Sequence, residues 1–93
     1  MNIVNSAFAG TLESSDVYVE VAPAQEIKID LESAVAAQFG PAIMQTVQQM
    51  LKEFGVTGAH VALKDRGALD CTIRARVETA LRRAGAPQPQ KGV

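Results

Sequence analysis

Alternating apolar and polar residues predict three β-strands in the first third of the chain. The strongest alternation covers residues 16–22, another covers 27–31, and a weaker one covers 8–12, where alanine and glycine dilute the signal. The residues that share one face in each pattern are Phe8, Gly10 and Leu12, then Val17, Val19 and Val21, then Ile27, Ile29 and Leu31. Residues 13–16, Glu-Ser-Ser-Asp, are the predicted tight turn of a hairpin, because serine and aspartate bond to nearby backbone groups.

Apolar residues at spacings of three and four predict an amphipathic helix over residues 41–54. Its apolar members are Ile43, Val47, Met50, Leu51 and Phe54, and Gly55 ends it in the left-handed conformation that glycine accepts. Ser33 is the predicted N-cap of a short helical turn that runs through Phe39. Gly40-Pro41 then restarts the chain, because proline disfavours helical conformation in the residue before it and fits the first helical position.

The last third of the chain contains a fourth predicted strand at Val61 and Leu63, a turn at residues 64–67, and an ambiguous segment at 69–84. That segment alternates as a strand at Leu69, Cys71, Ile73, Ala75 and Val77, and repeats as a helix at Leu69, Ile73, Val77, Ala80, Leu81 and Ala84. Helix is the prediction, because its pattern is longer and its residues favour helices. The pairs Asp70–Arg74 and Glu78–Arg82 also have the helical spacing of four. A fifth strand at 69–73 is the alternative.

These elements predict the α+β class, with an antiparallel meander of three strands, a fourth strand, and two main helices packed on one face. Residues 1–85 are expected to form a single domain. The polar segment 86–93, which contains two spaced prolines, is expected to be a mobile tail.

The composition narrows the function classes. Apolar residues make up 47% and charged residues 20%, which is typical of a globular protein and not of a disordered one. The net charge of −1 gives no reason to expect nucleic acid, and no leader or bilayer-spanning run is apparent, so neither nucleic acid nor membrane is a predicted partner. A single cysteine excludes an internal disulfide, and a cytoplasmic location is expected. The charge is uneven: residues 1–32 hold six acidic groups and one basic group, whereas 33–93 hold eight basic and four acidic groups.

The residues that often serve catalysis or metal binding have simpler explanations here. His60 faces outward on a predicted strand without a second ligand nearby, and Cys71 is expected to be a small buried residue. Asp65 is expected in a solvated turn and Asp70 at a helix N-terminus. Arg74 and Arg76 diverge by about 200° on a helix, so they form no single anion cleft. We therefore predict neither a catalytic nor a metal site.

Ser14 and Ser15 lie at the predicted hairpin tip. No base is available to make either a nucleophile. Serine is common in turns, which alone accounts for both residues. An exposed hydroxyl on a rigid hairpin is, however, accessible to modification by another protein.

Three stretches together resemble the acyl carrier subunit, or gamma chain, of citrate lyase. They are "AGTLESSDV" at residues 9–17, "FG" at 39–40 and "DRGALDCTIRAR" at 65–76. The likeness extends from Ala9 to about Ala84. Arg66 stands where lysine is expected in the family, a change that keeps the charge.

The resemblance implies that Ser14 is joined through a phosphodiester to a phosphoribosyl-dephospho-CoA group, which makes the chain a phosphoprotein. Ser15 falls where such proteins often have glycine and is assigned to the turn. The thiol of the group would carry acetyl and citryl thioesters between the alpha (acyl transferase) and beta (citryl lyase) subunits, as citrate is cleaved to acetate and oxaloacetate. The chain itself would be non-catalytic, and a transferase would attach the group. Repulsion by Glu13 and Asp16 is expected to keep this arm off the carrier surface.

Three alternatives remain. The acyl carrier of malonate decarboxylase and that of citramalate lyase are close rivals, and a protein-interaction domain with an unmodified serine is a rival of another class. Ordinary acyl carrier domains are excluded, because they are helical bundles with an Asp-Ser-Leu site that this chain lacks.

Overall fold

The computed structural model describes residues 3–33 and 36–86. Its elements in chain order are β1 (Ala7–Gly10), β2 (Val17–Ala22), β3 (Ile27–Ser33), α1 (Ala36–Glu53), β4 (Ala59–Asp65) and α2 (Asp70–Arg83). The predicted α+β class, with four strands and two helices, is confirmed. Neither of the described helices is long and apolar enough to cross a lipid bilayer.

The sheet order is β1-β2-β4-β3, which corrects the predicted three-stranded meander. β1 and β2 form the expected antiparallel hairpin, with Ala9 opposite Val19. β4 then lies between β2 and β3, antiparallel to the first and parallel to the second. The reason is the connection: α1 carries the chain back across the sheet, as a parallel pair requires. The inward residues of β4 are fully buried, whereas those of β3 are only partly buried, as expected for a central and an edge strand.

One face of the sheet is covered by both helices, as predicted. α2 packs on β1 and β2, α1 packs on β3, and the helices contact each other. The strand residues buried beneath them are Ala9, Val17, Val19, Val21, Ala59, Val61 and Leu63, and the helix residues are Ile43, Val47, Met50, Leu51, Ile73, Val77, Ala80 and Leu81. In β1 the inward residue is Ala9, so Phe8 lies on the open face, where its ring stacks at a tilt on Tyr18 with centroids 5.7 Å apart.

α1 differs from the prediction at its start. The prediction that the chain breaks and restarts at Gly40-Pro41 is wrong, because the helix is continuous from Ala36 and contains Pro41. A proline there removes one backbone donor, a loss that the packed helix tolerates. Ser33 is not an N-cap either: it ends β3, and its hydroxyl donates to Asp65 Oδ2 at 2.9 Å. The C-terminal end is as predicted, with Gly55 at a φ of +68°.

α2 confirms the helical reading of residues 69–84, which removes the alternative of a fifth strand. Both spaced pairs are present, Arg74 to Asp70 at 3.2 Å and Arg82 to Glu78 at 3.0 Å. The expectation that Cys71 is buried is wrong: it lies on the solvent side of the first turn. The predicted tail lies outside the described residues, apart from Ala86.

Candidate functional site at the hairpin tip

The hairpin tip is a four-residue turn, closed by Asp16 N–H donating to Glu13 O at 3.2 Å. Ser14 and Ser15 are the two central residues. Ser15 has a φ of +65°, the only positive φ among non-glycine residues in the described ranges. A left-handed φ at the third position of a turn is normally supplied by glycine. The turn predicted at residues 13–16 is therefore confirmed, with Ser15 in a conformation that costs a serine about 1 kcal/mol.

A β-bulge joins this turn to the end of β4. Ser15 N–H donates to Arg66 O at 2.8 Å, and Arg66 N–H donates to Asp16 O at 2.9 Å. Two residues of the hairpin therefore oppose one residue of the neighbouring segment, in the type of bulge whose first position favours glycine. The bonds fix the backbone on the C-terminal side of Ser14 to the central strand of the sheet.

A bidentate ion pair holds the turn from the other side. Arg76 on α2 donates from Nε to Asp16 Oδ1 at 3.0 Å and from Nη2 to Asp16 Oδ2 at 2.9 Å. Thr11 Oγ1 donates to the same carboxylate at 2.7 Å and accepts from Glu13 N–H at 3.2 Å. We call Thr11, Asp16 and Arg76 the tip clamp. It connects segments 60 residues apart in sequence.

Gly10 makes room for the tip clamp. Its φ is +94°, and a Cβ at this position would lie 1.9 Å from Val17 O and 3.3 Å from Arg76 Cδ. No side chain fits in that space, so the glycine is a steric requirement of the hairpin.

Ser14 is exposed, and its hydroxyl makes no hydrogen bond to any part of the chain that the structure describes. Its neighbours on both sides are held by the bulge and the tip clamp. The hydroxyl is therefore presented to solvent from a fixed backbone. It has room for a large substituent, so the residues present fit a covalent attachment there.

The electrostatics of the tip centre on Asp16. The hydrogen bonds from Arg76, with those from Thr11 and the Val17 N–H, hold the pKa of the Asp16 carboxyl well below its usual range. Its charge is compensated by the Arg76 guanidinium. Within the described part of the chain, Glu13 is then the one tip carboxylate without a salt bridge. The expectation that both Glu13 and Asp16 repel the arm is therefore corrected, because the charge of Asp16 is compensated. Asp16 holds the turn in place.

The other candidate residues are scattered. His60 Nε2 lies 2.6 Å from Asp30 Oδ2 on the open face of the sheet. The expectation that Asp65 lies in a solvated turn is wrong: it ends β4, is 1% exposed, and accepts hydrogen bonds from Ser33 and the Ala68 N–H. Asp70 is in the first turn of α2, as predicted.

The arginines of α2 do diverge. Arg74 contacts Asp70 and Gln49, whereas Arg76 reaches the tip. The role of Arg76 was missed at the level of sequence. The joint presence of the stretches 9–17 and 65–76 was the one signal that connected it to Asp16.

Comparisons with known proteins all point to acyl carrier proteins. Residues 4–84 match the acyl carrier protein family model described as malonate decarboxylase delta subunit (MdcD). The chain is 51% identical over 84 residues to the citrate lyase acyl carrier protein of Treponema denticola, covering 90% of this chain and 97% of that one. It is 54% identical over 86 residues to the protein of that name from Serratia proteamaculans, covering 90% and 84%.

Among solved structures, a chain of a Pseudomonas malonate decarboxylase hetero-tetramer in complex with malonate has the same fold. The TM-score is 0.65 at 21% identity, over 87% of this chain and 84% of that one. The sequence identities of 51% and 54% over 90% of the chain show that it belongs to the family of citrate lyase acyl carrier proteins.

Proposed function

We propose that this chain is the acyl carrier subunit of a citrate lyase and carries a phosphoribosyl-dephospho-CoA group on Ser14. The observation that carries the proposal is the Ser14 hydroxyl, which is exposed and unbonded within the described residues, between two neighbours that are fixed. Relatives at 51% and 54% identity bear the name of this carrier.

The geometry supports separate roles for the protein and for the attached group. When bound, the group supplies a thiol that carries acyl groups as thioesters. The protein supplies position: the bulge and the tip clamp hold the backbone around Ser14, so motion is confined to the attached arm. Tethering raises the effective concentration of the thiol at a partner active site to about the millimolar range. The chain's own side chains need take no part in bond making.

Ser14 is preferred to Ser15 for a geometric reason. Ser15 donates its backbone N–H to Arg66 O and occupies the left-handed position of the turn. Its role in the turn and bulge is a backbone one that glycine also performs. Ser14 occupies a position that has no such role, so its side chain is free for another purpose.

The test is intact mass of the chain isolated from its native host, with matched variants of the two serines. The wild-type chain is expected to carry one adduct of the mass of phosphoribosyl-dephospho-CoA, less water. Ser14→Ala is expected to carry none, and Ser15→Gly is expected to carry it fully. A wild-type chain without the adduct, or an adduct that persists in Ser14→Ala, would contradict the proposal.

A second candidate is the carrier of malonate decarboxylase, which the family model favours by its description. The two candidates share the fold and the attached group, so they differ only in partner enzymes. Reconstitution of the loaded chain with each set of partner subunits separates them. Oxaloacetate release from citrate is expected, and CO₂ release from malonate alone would favour the second candidate.

A further inference from the structure

A groove of about 350 Å³ lies between the first turns of the two helices, near the tip end of the sheet. Its walls come from the start of α1, the end of β4 and the segment from Gly67 into α2. The residues that matter below are Phe39, Leu69, Ile73, Asp65 and Asp70. We call it the helix-start groove.

Two large apolar side chains on this groove are exposed to solvent. Leu69, directly before α2, is 71% exposed, and Phe39 in the first turn of α1 is 49% exposed. A single exposed leucine is ordinary, but apolar side chains gathered on one groove mark an interaction site. The groove therefore offers apolar surface to a second molecule.

A buried carboxylate gives this groove a charge preference. Asp65 is 1% exposed, lies in the groove wall and accepts two hydrogen bonds, from the Ser33 hydroxyl and the Ala68 N–H. Within residues 3–33 and 36–86 no cation forms a salt bridge with it. Asp70 at the same groove already has Arg74. Buried carboxylates are usually paired, because burial removes their hydration and a nearby cation offsets that cost. A cation in the groove would complete the pairing.

The groove is continuous with the tip. Gly67 follows Arg66, whose backbone exchanges hydrogen bonds with Ser15 and Asp16. A molecule seated in the groove therefore contacts the segment that directly follows the residue bonded to the tip. It lies at the same end of the sheet as the group that would be attached to Ser14.

We propose that the helix-start groove docks a partner-subunit segment that carries a lysine or arginine among apolar side chains. The apolar side chains cover Leu69 and Phe39, and the cation approaches the wall that contains Asp65. This inference rests on the proposed function, because that function supplies the partner enzymes. It adds the surface they use and the chemistry they bring to it.

The test measures the affinity of purified acyl transferase and lyase subunits for the carrier by isothermal titration calorimetry. Leu69→Asp places a charge on the apolar rim and is expected to weaken binding of at least one subunit more than tenfold. Val4→Asp is the matched control. Val4 is 69% exposed and is bonded to Ala84 beyond the other end of α2, about 20 Å away, so binding is expected within twofold of wild type.

The charge preference and the occupant need two further measurements. Binding of the wild-type chain is expected to weaken several-fold when the salt concentration rises from about 0.05 M to about 0.3 M, because salt screens the attraction between the partner's cation and the Asp65 carboxylate. Ser14→Ala, which carries no arm, is expected to keep the Leu69-dependent binding. Leu69→Asp and Val4→Asp must each show a cooperative thermal unfolding transition, which establishes that both variants are folded.

Three results overturn the inference: wild-type affinity of Leu69→Asp for both subunits, no binding of the wild-type chain, or a Leu69-dependent dimer of the carrier by sedimentation. Its failure is separable from that of the proposed function. If the chain carries no adduct but its binding still depends on Leu69, only the proposed attachment is contradicted. If Ser14 carries the adduct but Leu69→Asp binds the partners as wild type does, only the proposed groove is contradicted.

Discussion

The two aspartates whose pKa values the fold lowers, Asp16 and Asp30, lie in contrasting regions. Asp16 is 13% exposed in its side chain and joins three segments at the tip through the tip clamp. Asp30 is 58% exposed on the open face of the sheet, and a hydrogen bond from His60 lowers its pKa. An aspartate with a basic partner thus forms a structural junction at Asp16 and a solvent-exposed pair at Asp30. The two sites differ in how well the carboxylate is shielded from solvent and in how many chain segments it joins.

The largest expected effect comes from Gly10→Ala, which destroys the tip without touching either aspartate. The new Cβ would lie 1.9 Å from Val17 O, and the backbone has to move to relieve the clash. We expect a loss of about 3 kcal/mol or more in the free energy of unfolding, measured in urea. Gly67→Ala is the control, because nothing lies within 4 Å of its added Cβ. An equal loss in both variants would show that strain in φ alone matters.

Next in size is the matched pair Asp16→Asn and Asp30→Asn. Asp16→Asn weakens a bidentate pair and is expected to lower stability by about 1–2 kcal/mol, since partial exposure of Arg76 screens the interaction. Asp30→Asn is expected to shift the thermal midpoint by no more than about 1 °C. Equal shifts in the two variants would remove the distinction between the regions.

Acid sharpens the same comparison. The folded-state pKa of Asp16 is below its unfolded value of about 3.9, so the folded chain binds fewer protons between the two values. This contribution to stability is complete above about pH 5 and is lost progressively as the pH falls through and below the unfolded value. Denaturant unfolding from pH 6 down to pH 3 is expected to show a shallower loss in Asp16→Asn than in wild type. The loss in Asp30→Asn should follow wild type more closely.

The smallest effect is a gain. Ser15→Gly relieves the left-handed strain in the bulge and is expected to raise the free energy of unfolding by about 0.5–1 kcal/mol. Ser14→Gly is the control, because Ser14 does not have a positive φ, and it is expected to lower stability slightly. A loss in Ser15→Gly would mean that the serine side chain has a role of its own.

The sequence pattern correctly predicted those features that depend on neighbouring residues in the chain. The valines of β2 and the apolar stripe of α1 gave correct elements because burial follows periodicity. The order of the strands depends instead on how β4 competes for the centre of the sheet, which no single segment encodes. The burial of Asp65 and the exposure of Leu69 likewise depend on neighbours distant in sequence.

At the candidate site, the turn at residues 13–16 could be predicted from the sequence, but the tip clamp could not. Asp16 and Arg76 lie 60 residues apart, and either one alone looks like an ordinary surface charge. The one hint came from the family resemblance, which places Ser15 where such proteins often have glycine; the positive φ of Ser15 in the bulge explains that preference. The cytoplasmic location and the mobility of the tail stay predictions.

The central claim is that the oxygen of Ser14 bears the attached group. Fragmentation mass spectrometry of the peptide containing residues 9–17, from protein made in the native host, locates the bond to a single residue. The account predicts the whole added mass on Ser14 and an unmodified Ser15. An adduct on Ser15, on Thr11 or outside this peptide would contradict it.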